Sequence, residues 1–379
     1  MLSAGPALVV IHAGQTESPA SRVYHTKPGP WGDLEYVRIV IEPPDDFMAS
    51  DYTTAPARWN FAGYDEARLS ALIRQAVPAG PLRDQLLDPR IRETTAESIV
   101  LKPANGTVEA LSTESRTLLY NTLANLPGNE LQTEPFRFRA DMLDEWFEGS
   151  GIRADVGERI RKLLYPRGNA LLFSDPGLVL PMLATPAERV LLVKTLARKS
   201  TLLVRLRVGP DSDINRIAEY WSNGRRRKDI RPLLLSLARQ PGGMTIDLAH
   251  LLPRLARGLL YTYPSPDLPT DLSPDCHWTS MNFFNDPPDD RMADLEYLKA
   301  RLIVDYVEIQ SEPMMGDIVM MTRPDGTAVH SCVYLADNIV FTKNGQSATV
   351  PWLLSTLPDL QAFYPTNPPL QNRIYRRRQ

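Results

Sequence analysis

The spacing of apolar residues changes twice along the chain. Residues 34–42 begin with alternation and then become continuously apolar, which predicts a strand. From about residue 64 to 257 the period becomes helical, with Leu69, Leu72 and Ile73 on one face of a first helix. Further along, the order becomes a loop, a short helix and a run of strands. The pattern therefore predicts three sections: an N-terminal β-rich section over 1–60, a mainly helical domain over 61–257 and a mixed domain over 258–379.

The middle section is predicted to consist of many short elements. The chain has 34 prolines, and proline or glycine lies at most joints between periodic segments, which disfavours long helices. Ser112 or Thr113 can cap a second helix that carries Leu119 on its apolar stripe. Further helices are predicted over 140–148, 155–164, 186–198, 213–221, 230–239 and 246–260, with a strand over 201–208.

The last section predicts a helix that carries a cysteine, followed by an antiparallel sheet that carries a histidine. Pro324-Asp325-Gly326 and Asp337-Asn338 are turn sequences between the last three strands. The fold class predicted for this section is therefore α+β. Its helices are predicted over 275–285 and 291–300, and its strands over 303–310, 317–322, 328–335 and 339–343.

Composition excludes some classes of partner. The formal net charge of −3 gives no general attraction to nucleic acid, and the short basic runs at 225–228 and 373–378 are typical of solvated surface. We expect no membrane span, because no segment approaches the ~20 apolar residues that one requires. With only two cysteines, Cys276 and Cys332, a disulfide framework is excluded.

The apolar stretch Ala4–Ala13 has two interpretations. It lacks a basic flank, so it is either the remnant of a signal sequence whose start lies upstream or the first strand of the fold. The first interpretation is slightly favoured and predicts an exported protein, periplasmic or secreted. The second leaves a cytoplasmic location open.

Cys276 is the candidate nucleophile. Asp275 precedes it and can cap the predicted helix, which places the cysteine in the first turn. The helix dipole favours a thiolate there, and the thiolate is the reactive form of cysteine. The alternative is a small buried apolar residue, which is the commoner environment of a lone cysteine.

His330 is the candidate base. It lies in the middle of a predicted strand in which Val329, Val333 and Leu335 suit the core, so His330 and Cys332 lie on the opposite face. His277 is adjacent to the cysteine and points about 100° away on a helix, which is a poor position for its base. A half-exposed strand histidine without a catalytic role is the alternative.

A catalytic histidine also needs a group that holds its tautomer. Alternation on the next strand places Thr342 and Asn344 on one face, and both are admissible as that group. Asn344 precedes Gly345, so it can instead be an ordinary turn residue. The sequence does not choose between them.

Three motifs carry a resemblance to NlpC-type cysteine peptidases, whose domain has a papain-like fold. They are the cysteine motif Asp275–Thr279, the strand motif Gly316–Val319 and the histidine motif His330–Leu335. The resemblance covers about 100 residues, and the chain departs from it at His277-Trp278 and at Ser331-Cys332, where the family has small residues. The whole chain also resembles a group of bacterial proteins, which implies no activity; the segments that carry this second resemblance are 28–32, 232–243, 275–286 and 340–345.

The NlpC resemblance implies hydrolysis of an amide bond in a peptide or a peptidoglycan fragment, without a metal or organic cofactor. Cys276 is then the nucleophile and His330 the base, with Asn344 or Thr342 as the orienting group. Tyr263, placed 13 residues before Cys276, corresponds to a family tyrosine that helps to line the oxyanion region. Two alternatives remain: an acyltransferase or thioesterase acting on a lipid or small amide, and a non-catalytic binding or scaffold protein with a degenerate papain-like domain.

Overall fold

A computed structural model describes residues 22–45, 57–95, 97–168, 170–223, 226–265, 267–268, 273–364, 366 and 368–378. The architecture is mixed α/β and contains several antiparallel sheets. The apolar stretch at residues 4–13 lies outside the described residues. No helix in the described ranges is both long enough and apolar enough to cross a membrane.

The helices are α1 (Glu66–Ala76), α2 (Pro81–Leu87), α3 (Asn105–Glu109), α4 (Thr113–Leu123), α5 (Glu130–Thr133), α6 (Leu143–Phe147), α7 (Ala154–Leu163), α8 (Pro176–Val179), α9 (Pro186–Ala197), α10 (Ile214–Ser222), α11 (Arg227–Ala238), α12 (Arg254–Leu259), α13 (Cys276–Asn282), α14 (Leu295–Asp305) and α15 (Leu357–Phe363). The strands are β1 (Tyr24–His25), β2 (Asp33–Ile41), β3 (Trp59–Ala62), β4 (Arg92–Thr94), β5 (Ser98–Leu101), β6 (Phe136–Arg139), β7 (Tyr165–Arg167), β8 (Ala170–Phe173), β9 (Lys199–Val208), β10 (Met244–Asp247), β11 (Tyr306–Ile309), β12 (Ile318–Thr322), β13 (Ala328–Ala336), β14 (Ile339–Lys343), β15 (Trp352–Thr356) and β16 (Gln371–Arg377).

One sheet joins the N-terminal strands to the end of the middle section. Its order is β1-β2-β9-β10, and β2 pairs with β9 along its whole length, from Asp33 opposite Arg207 to Ile41 opposite Lys199. Val204 and Leu206 are buried, whereas Arg205 and Arg207 are exposed, as their alternation predicts. This sheet packs beside α10 and α11.

Most of the middle section forms a separate apolar core. Two three-stranded sheets, β3-β5-β4 and β6-β8-β7, pack with the helices between them around Phe61, Leu119, Tyr120 and Leu172. The section predicted as mainly helical therefore also contains short strands. These strands are too short, at three or four residues, to give a clear alternation in the sequence.

The C-terminal sheet has six strands in the order β11-β16-β12-β13-β14-β15, and both of its faces are covered. Val333 and Phe341 face the core that contains Trp278 of α13. Val340 faces a smaller core that contains Leu360 of α15. The sheet is therefore a layer between α13 on one side and α15 on the other.

The middle section contacts the C-terminal sheet directly. Thr201 of β9 hydrogen-bonds the backbone of Leu354 in β15 in both directions, at 3.0 and 3.1 Å. Asp359 of α15 accepts hydrogen bonds from Arg38 of β2 at 2.8 Å and from Arg139 of β6 at 2.5 Å. Helix α15 therefore lies between the C-terminal sheet and the rest of the molecule.

The segment before α13 is also attached to this sheet. The Tyr261 N–H donates to the Trp352 carbonyl at 2.8 Å, and the Trp352 N–H donates to the Thr262 carbonyl at 3.0 Å. Ser273 Oγ donates to the Gln346 carbonyl at 2.7 Å. These contacts at both ends of the segment fix the approach of the chain to Cys276.

Several predicted elements are confirmed, notably the strands at 317–322, 328–335 and 339–343 and the helices at 155–164, 186–198 and 213–221. Two predictions are wrong. The helix predicted over 246–260 is instead the end of β10, a 3-10 turn over Leu248–Leu251 and the short helix α12, which begins after Pro253, a residue without the N–H that a continuous helix needs. The strand predicted from 303 begins only at Tyr306, because α14 continues through the exposed apolar residues Ile303 and Val304.

Candidate functional site

Cys276 is the first residue of α13, as the sequence predicts. The Asp275 carboxylate caps the helix by accepting the Trp278 N–H at 2.7 Å. The Cys276 carbonyl accepts hydrogen bonds from Ser280 Oγ at 2.9 Å and from Ser331 Oγ at 3.2 Å. Since Ser331 belongs to β13, the second bond ties the cysteine backbone to the strand that carries His330.

His330 lies on β13 and is fully buried. Its Nε2 is 2.9 Å from the hydroxyl oxygen of Thr342 on β14, and that hydroxyl donates to Asn344 Oδ1 at 3.2 Å. Thr342 and Asn344 were alternatives in the sequence. The structure brings both together with His330, with Thr342 in contact with the ring and Asn344 behind it.

This chain of hydrogen bonds assigns the tautomer of His330. The Thr342 hydroxyl donates its single proton to Asn344 Oδ1, so the hydroxyl oxygen accepts a hydrogen bond from Nε2–H of His330. In the neutral ring the proton is then on Nε2, and Nδ1 keeps its lone pair. Nδ1 is buried and makes no hydrogen bond to any described residue, which leaves it available to accept a proton.

Burial dominates the protonation of both residues. Desolvation, followed by the negative charge of Asp275, raises the pKa of the Cys276 thiol to about 12. The backbone N–H groups of Ser331, His277 and Cys276 act in the opposite direction on this pKa. Burial, followed by the proximity of His277, lowers the pKa of His330 to about 3. At neutral pH the two residues are therefore a thiol and a neutral imidazole, whereas the sequence favoured a thiolate on the strength of the helix dipole.

Tyr364 covers the imidazole. Its ring stacks on His330 with a centroid distance of 4.8 Å and an interplanar angle of 28°. Burial is the main cause that raises the pKa of Tyr364, and a negative charge on Cys276 raises it further. Tyr364 follows directly after α15 and therefore joins that helix to the site.

His277 has a different environment from His330. Its Nδ1 is 2.9 Å from Ser331 Oγ, so it is part of the contact between α13 and β13. Burial is the main cause that lowers its pKa. This position agrees with the expectation that His277 is not directed at the thiol.

A buried lysine orders the loop that contains Asn344. Lys343 Nζ donates to the Gly345 carbonyl at 2.6 Å and to the Ser347 carbonyl at 3.1 Å. Burial lowers the pKa of Lys343 to about 8, and the negative charge of Asp275, followed by that of Cys276 when it is ionised, acts in the opposite direction. Lys343 therefore combines a structural role with a positive charge near the thiol.

Tyr263 and Cys332 complete the set of residues singled out in the sequence. Tyr263 is half-buried, and its pKa is raised by burial and then by the charge of Glu42. Cys332 is fully buried, and its Sγ is 3.8 Å from the Val319 carbonyl. Burial raises the pKa of Cys332, which agrees with its interpretation as a packing residue. Both cysteines are free thiols.

Sequence reasoning missed Ser331, Lys343 and Tyr364 as parts of this site. Ser331 was noted only as a departure from a family motif, and Lys343 was placed on the face away from Thr342. Tyr364 lies 34 positions after His330, and no local pattern connects the two residues. Only the position of α15 brings them together.

Comparison with known proteins adds no further assignment. No family model, no curated protein and no solved structure matches the chain. Within the described part of the chain, no group of three or more His, Cys, Asp or Glu side chains is arranged so that it could hold a metal ion.

Proposed function

We propose that the protein is a cysteine hydrolase of amide bonds whose C-terminal domain has a papain-like fold of the NlpC type. Cys276 is the nucleophile and His330 the general base. The observation that carries the proposal is the buried Nδ1 of His330, which has no hydrogen-bond partner in the part of the chain that the structure describes, while Nε2 is held by Thr342.

The order of elements supports this fold assignment. A helix that begins at the cysteine packs on an antiparallel sheet in which the histidine strand β13 lies between β12 and β14. The orienting residue is supplied by the neighbouring strand β14. Fold alone does not establish an activity, so the proposal depends on the chemistry of the side chains.

The mechanism follows from the tautomer. Nδ1 of His330 takes the thiol proton as the Cys276 sulfur attacks the carbonyl carbon of the substrate, which forms a C–S bond and a negatively charged oxygen. The proton then passes to the leaving nitrogen as the C–N bond breaks, and a thioester remains on Cys276. Water activated by the same Nδ1 hydrolyses this thioester and releases the acid. Throughout, the hydrogen bond from Nε2–H to Thr342 keeps the ring in one orientation.

The neutral resting pair suits this general-base mechanism. A proton leaves the thiol only as the new C–S bond forms, so a stable thiolate is not required. Backbone N–H groups at the start of α13 have no helical partner and are available to stabilise charge on the substrate oxygen. We assign the Cys276 N–H to this role, with Tyr263 as a further candidate donor. The substrate we propose is a peptide or a peptidoglycan fragment.

A non-catalytic scaffold is the second candidate, and one observation favours it. His330 is fully buried and Tyr364 stacks on its ring, so a substrate can reach the imidazole only if the residues around it move. If that movement does not occur, the domain binds a partner without turnover. The two candidates differ in whether any acyl group is ever transferred to Cys276.

The test is hydrolysis of a panel of peptides and peptidoglycan fragments by the full chain, followed by mass spectrometry. We expect release of a new carboxyl group, with Cys276→Ala reducing the rate at least about 10³-fold. Cys332→Ala is the matched control, since it removes the other buried thiol, and should retain the activity of its folded fraction. Equal activity of Cys276→Ala and the unmodified protein would overturn the assignment.

A further inference from the structure

Arg137 is a partly buried cation, and one nitrogen of its guanidinium has no partner among the described residues. This nitrogen, Nη1, is inaccessible to solvent and makes no hydrogen bond to any residue that the structure describes. A guanidinium nitrogen that is buried without a partner loses its hydration without compensation. Among the described residues no carboxylate forms an ion pair with Arg137, whereas its neighbour Arg139 pairs with Asp141 and Asp359.

Lys199 and Arg167 add positive charge around Arg137. The partly exposed side chain of Lys199 forms no hydrogen bond or ion pair with any described residue, and its pKa is lowered to about 8 by burial and then by Arg137. Burial and then Arg167 lower the pKa of Arg137 to about 10. Arg167 uses neutral partners, the side-chain oxygen of Asn121 at 2.7 Å and the carbonyl of Gln132 at 3.3 Å. Positively charged side chains are therefore near one another, and no described carboxylate forms an ion pair with any of them.

Two aromatic rings connect Arg137 to the candidate site. The Arg137 guanidinium is 4.2 Å from the ring centroid of Phe363, and the rings of Phe363 and Tyr364 are 4.9 Å apart. Tyr364 in turn stacks on His330. Burial raises the pKa of Tyr364, while the positive charge of Arg137 acts in the opposite direction.

Lys199 lies on the same side of the molecule. It is two residues before Thr201 on β9, so both side chains leave the same face of the strand. Thr201 hydrogen-bonds the backbone of Leu354 in β15, next to the position paired with Thr342. The face of β9 that carries Lys199 is therefore turned towards the sheet that holds His330.

We propose that Arg137 and Lys199 form a carboxylate-binding subsite beside Cys276 and His330, which selects acidic peptide substrates. The inference rests on the proposed hydrolase function and specifies its substrate class. A carboxylate fits because the planar guanidinium presents a fork of N–H donors that matches two carboxylate oxygens, and the ammonium supplies a second charge. Binding of the substrate carboxylate at this point would hold a nearby amide at the thiol.

The test measures binding separately from turnover. Full-length Cys276→Ala protein, which cannot form a thioester at this residue, is titrated calorimetrically with glutarate, with its uncharged diamide glutaramide and with inorganic phosphate. We expect glutarate to bind and glutaramide not to bind. Arg137→Gln and Lys199→Met, each added to this protein, should weaken glutarate binding at least about tenfold.

Matched controls remove the same charges elsewhere. Arg189→Gln and Lys162→Met change exposed residues of α9 and α7 and should leave the dissociation constant within about twofold. Thermal unfolding identifies any variant that fails to fold. If Arg137→Gln fails to fold, Lys199→Met alone provides the test. Unchanged glutarate affinity in the folded subsite variants, or tighter binding of phosphate than of glutarate, would overturn the carboxylate assignment.

Failure of the two proposals can be distinguished. If glutarate binds as expected but no peptide is hydrolysed by the unmodified protein, the hydrolase proposal fails and the anion subsite stands. If peptides are hydrolysed at Cys276 but acidic and amidated peptides react equally in the unmodified protein and in Arg137→Gln, the subsite fails and the hydrolase stands.

Discussion

Two buried polar clusters of this molecule, one around Asp175 and one around His330, differ in how their hydrogen-bonding atoms are paired. In the middle section, Asp175 accepts hydrogen bonds from Arg116 Nη1 at 2.6 Å and from Tyr120 Oη at 2.6 Å. The Asp175 carboxylate is therefore paired with the Arg116 guanidinium. In the C-terminal sheet, His330 and Thr342 form a chain without any charge. The other ring nitrogen of His330, Nδ1, has no partner among the described residues.

The comparison separates stability from chemistry. Breaking the Arg116–Asp175 pair leaves an uncompensated buried charge, which is costly. The nitrogen of His330 that lacks a described partner adds no hydrogen bond to the fold, and His330 lies one residue from Ser331, whose hydroxyl holds the Cys276 backbone. A group that could have been paired and is not is typical of a functional site.

The largest expected effect is on activity. With Nδ1 as the base, His330→Gln should lower the rate of amide hydrolysis about 10²- to 10⁴-fold, because general-base catalysis contributes on this scale. The free energy of unfolding should change less than it does in Arg116→Met. Hydrolysis and urea unfolding measured on the same preparations check both expectations, and full activity of His330→Gln would remove the base from the mechanism.

The next effect is on stability. Arg116→Met should lower the free energy of unfolding by about 3–5 kcal/mol, since Asp175 is left buried without its cation. Hydrolysis per folded molecule should be unchanged. Arg189→Gln, an exposed arginine, is the control and should change stability by less than about 0.5 kcal/mol. A loss of activity without a loss of stability in Arg116→Met would contradict the distinction between the two groups.

A smaller effect is expected at Thr342. Thr342→Val removes the hydrogen bond to Nε2 at nearly constant volume, so His330 loses its fixed tautomer and orientation. We expect hydrolysis to fall about 10- to 100-fold, chiefly in kcat, while Thr342→Ser restores most of the rate. This scale is that of a supporting hydrogen bond to a functional imidazole. Equal rates for the valine and serine variants would show that the hydroxyl has no positioning role.

The smallest effect is a dependence of stability on pH. His330 has a lowered pKa in the folded protein, about 3, so below about pH 6.5 the unfolded chain binds a proton that the folded chain does not. This contribution to stability is fully present above that pH and is lost as the pH falls towards 3, by at most about 1.4 kcal/mol per pH unit. Urea unfolding of the unmodified protein and of His330→Gln between pH 5 and 6.5 measures it. A slope that His330→Gln leaves unchanged would mean that His330 is not held neutral.

The sequence predicted the residues whose positions depend on local rules. A capping aspartate before Cys276 identified the start of α13, and alternation placed His330, Thr342 and Asn344 where β13 and β14 bring them together. The assignment of Tyr263 to the oxyanion region stays a prediction, as do the division into three sections and the exported location.

Positions set by contacts between distant segments could not be predicted in this way. The tail after residue 370 has the composition of a basic surface segment, yet β16 pairs with β11 and β12 inside the sheet, and Arg376 pairs with the buried Asp317 at 2.6 Å. Likewise, Tyr364 reaches His330 only because α15 packs against β2 and β6 through Asp359. Such contacts depend on the packing of whole elements, which no short window of sequence contains.

The most direct test of the central claim is acylation of the protein by p-nitrophenyl acetate, followed by peptide mapping. We expect a single acetyl thioester on Cys276, formed at least about 10²-fold more slowly in His330→Gln. His277→Gln removes the other buried histidine of the site and should change this rate by less than about threefold. Acylation that requires His277 instead of His330, or that occurs equally on Cys332, would contradict the pairing of Cys276 with His330.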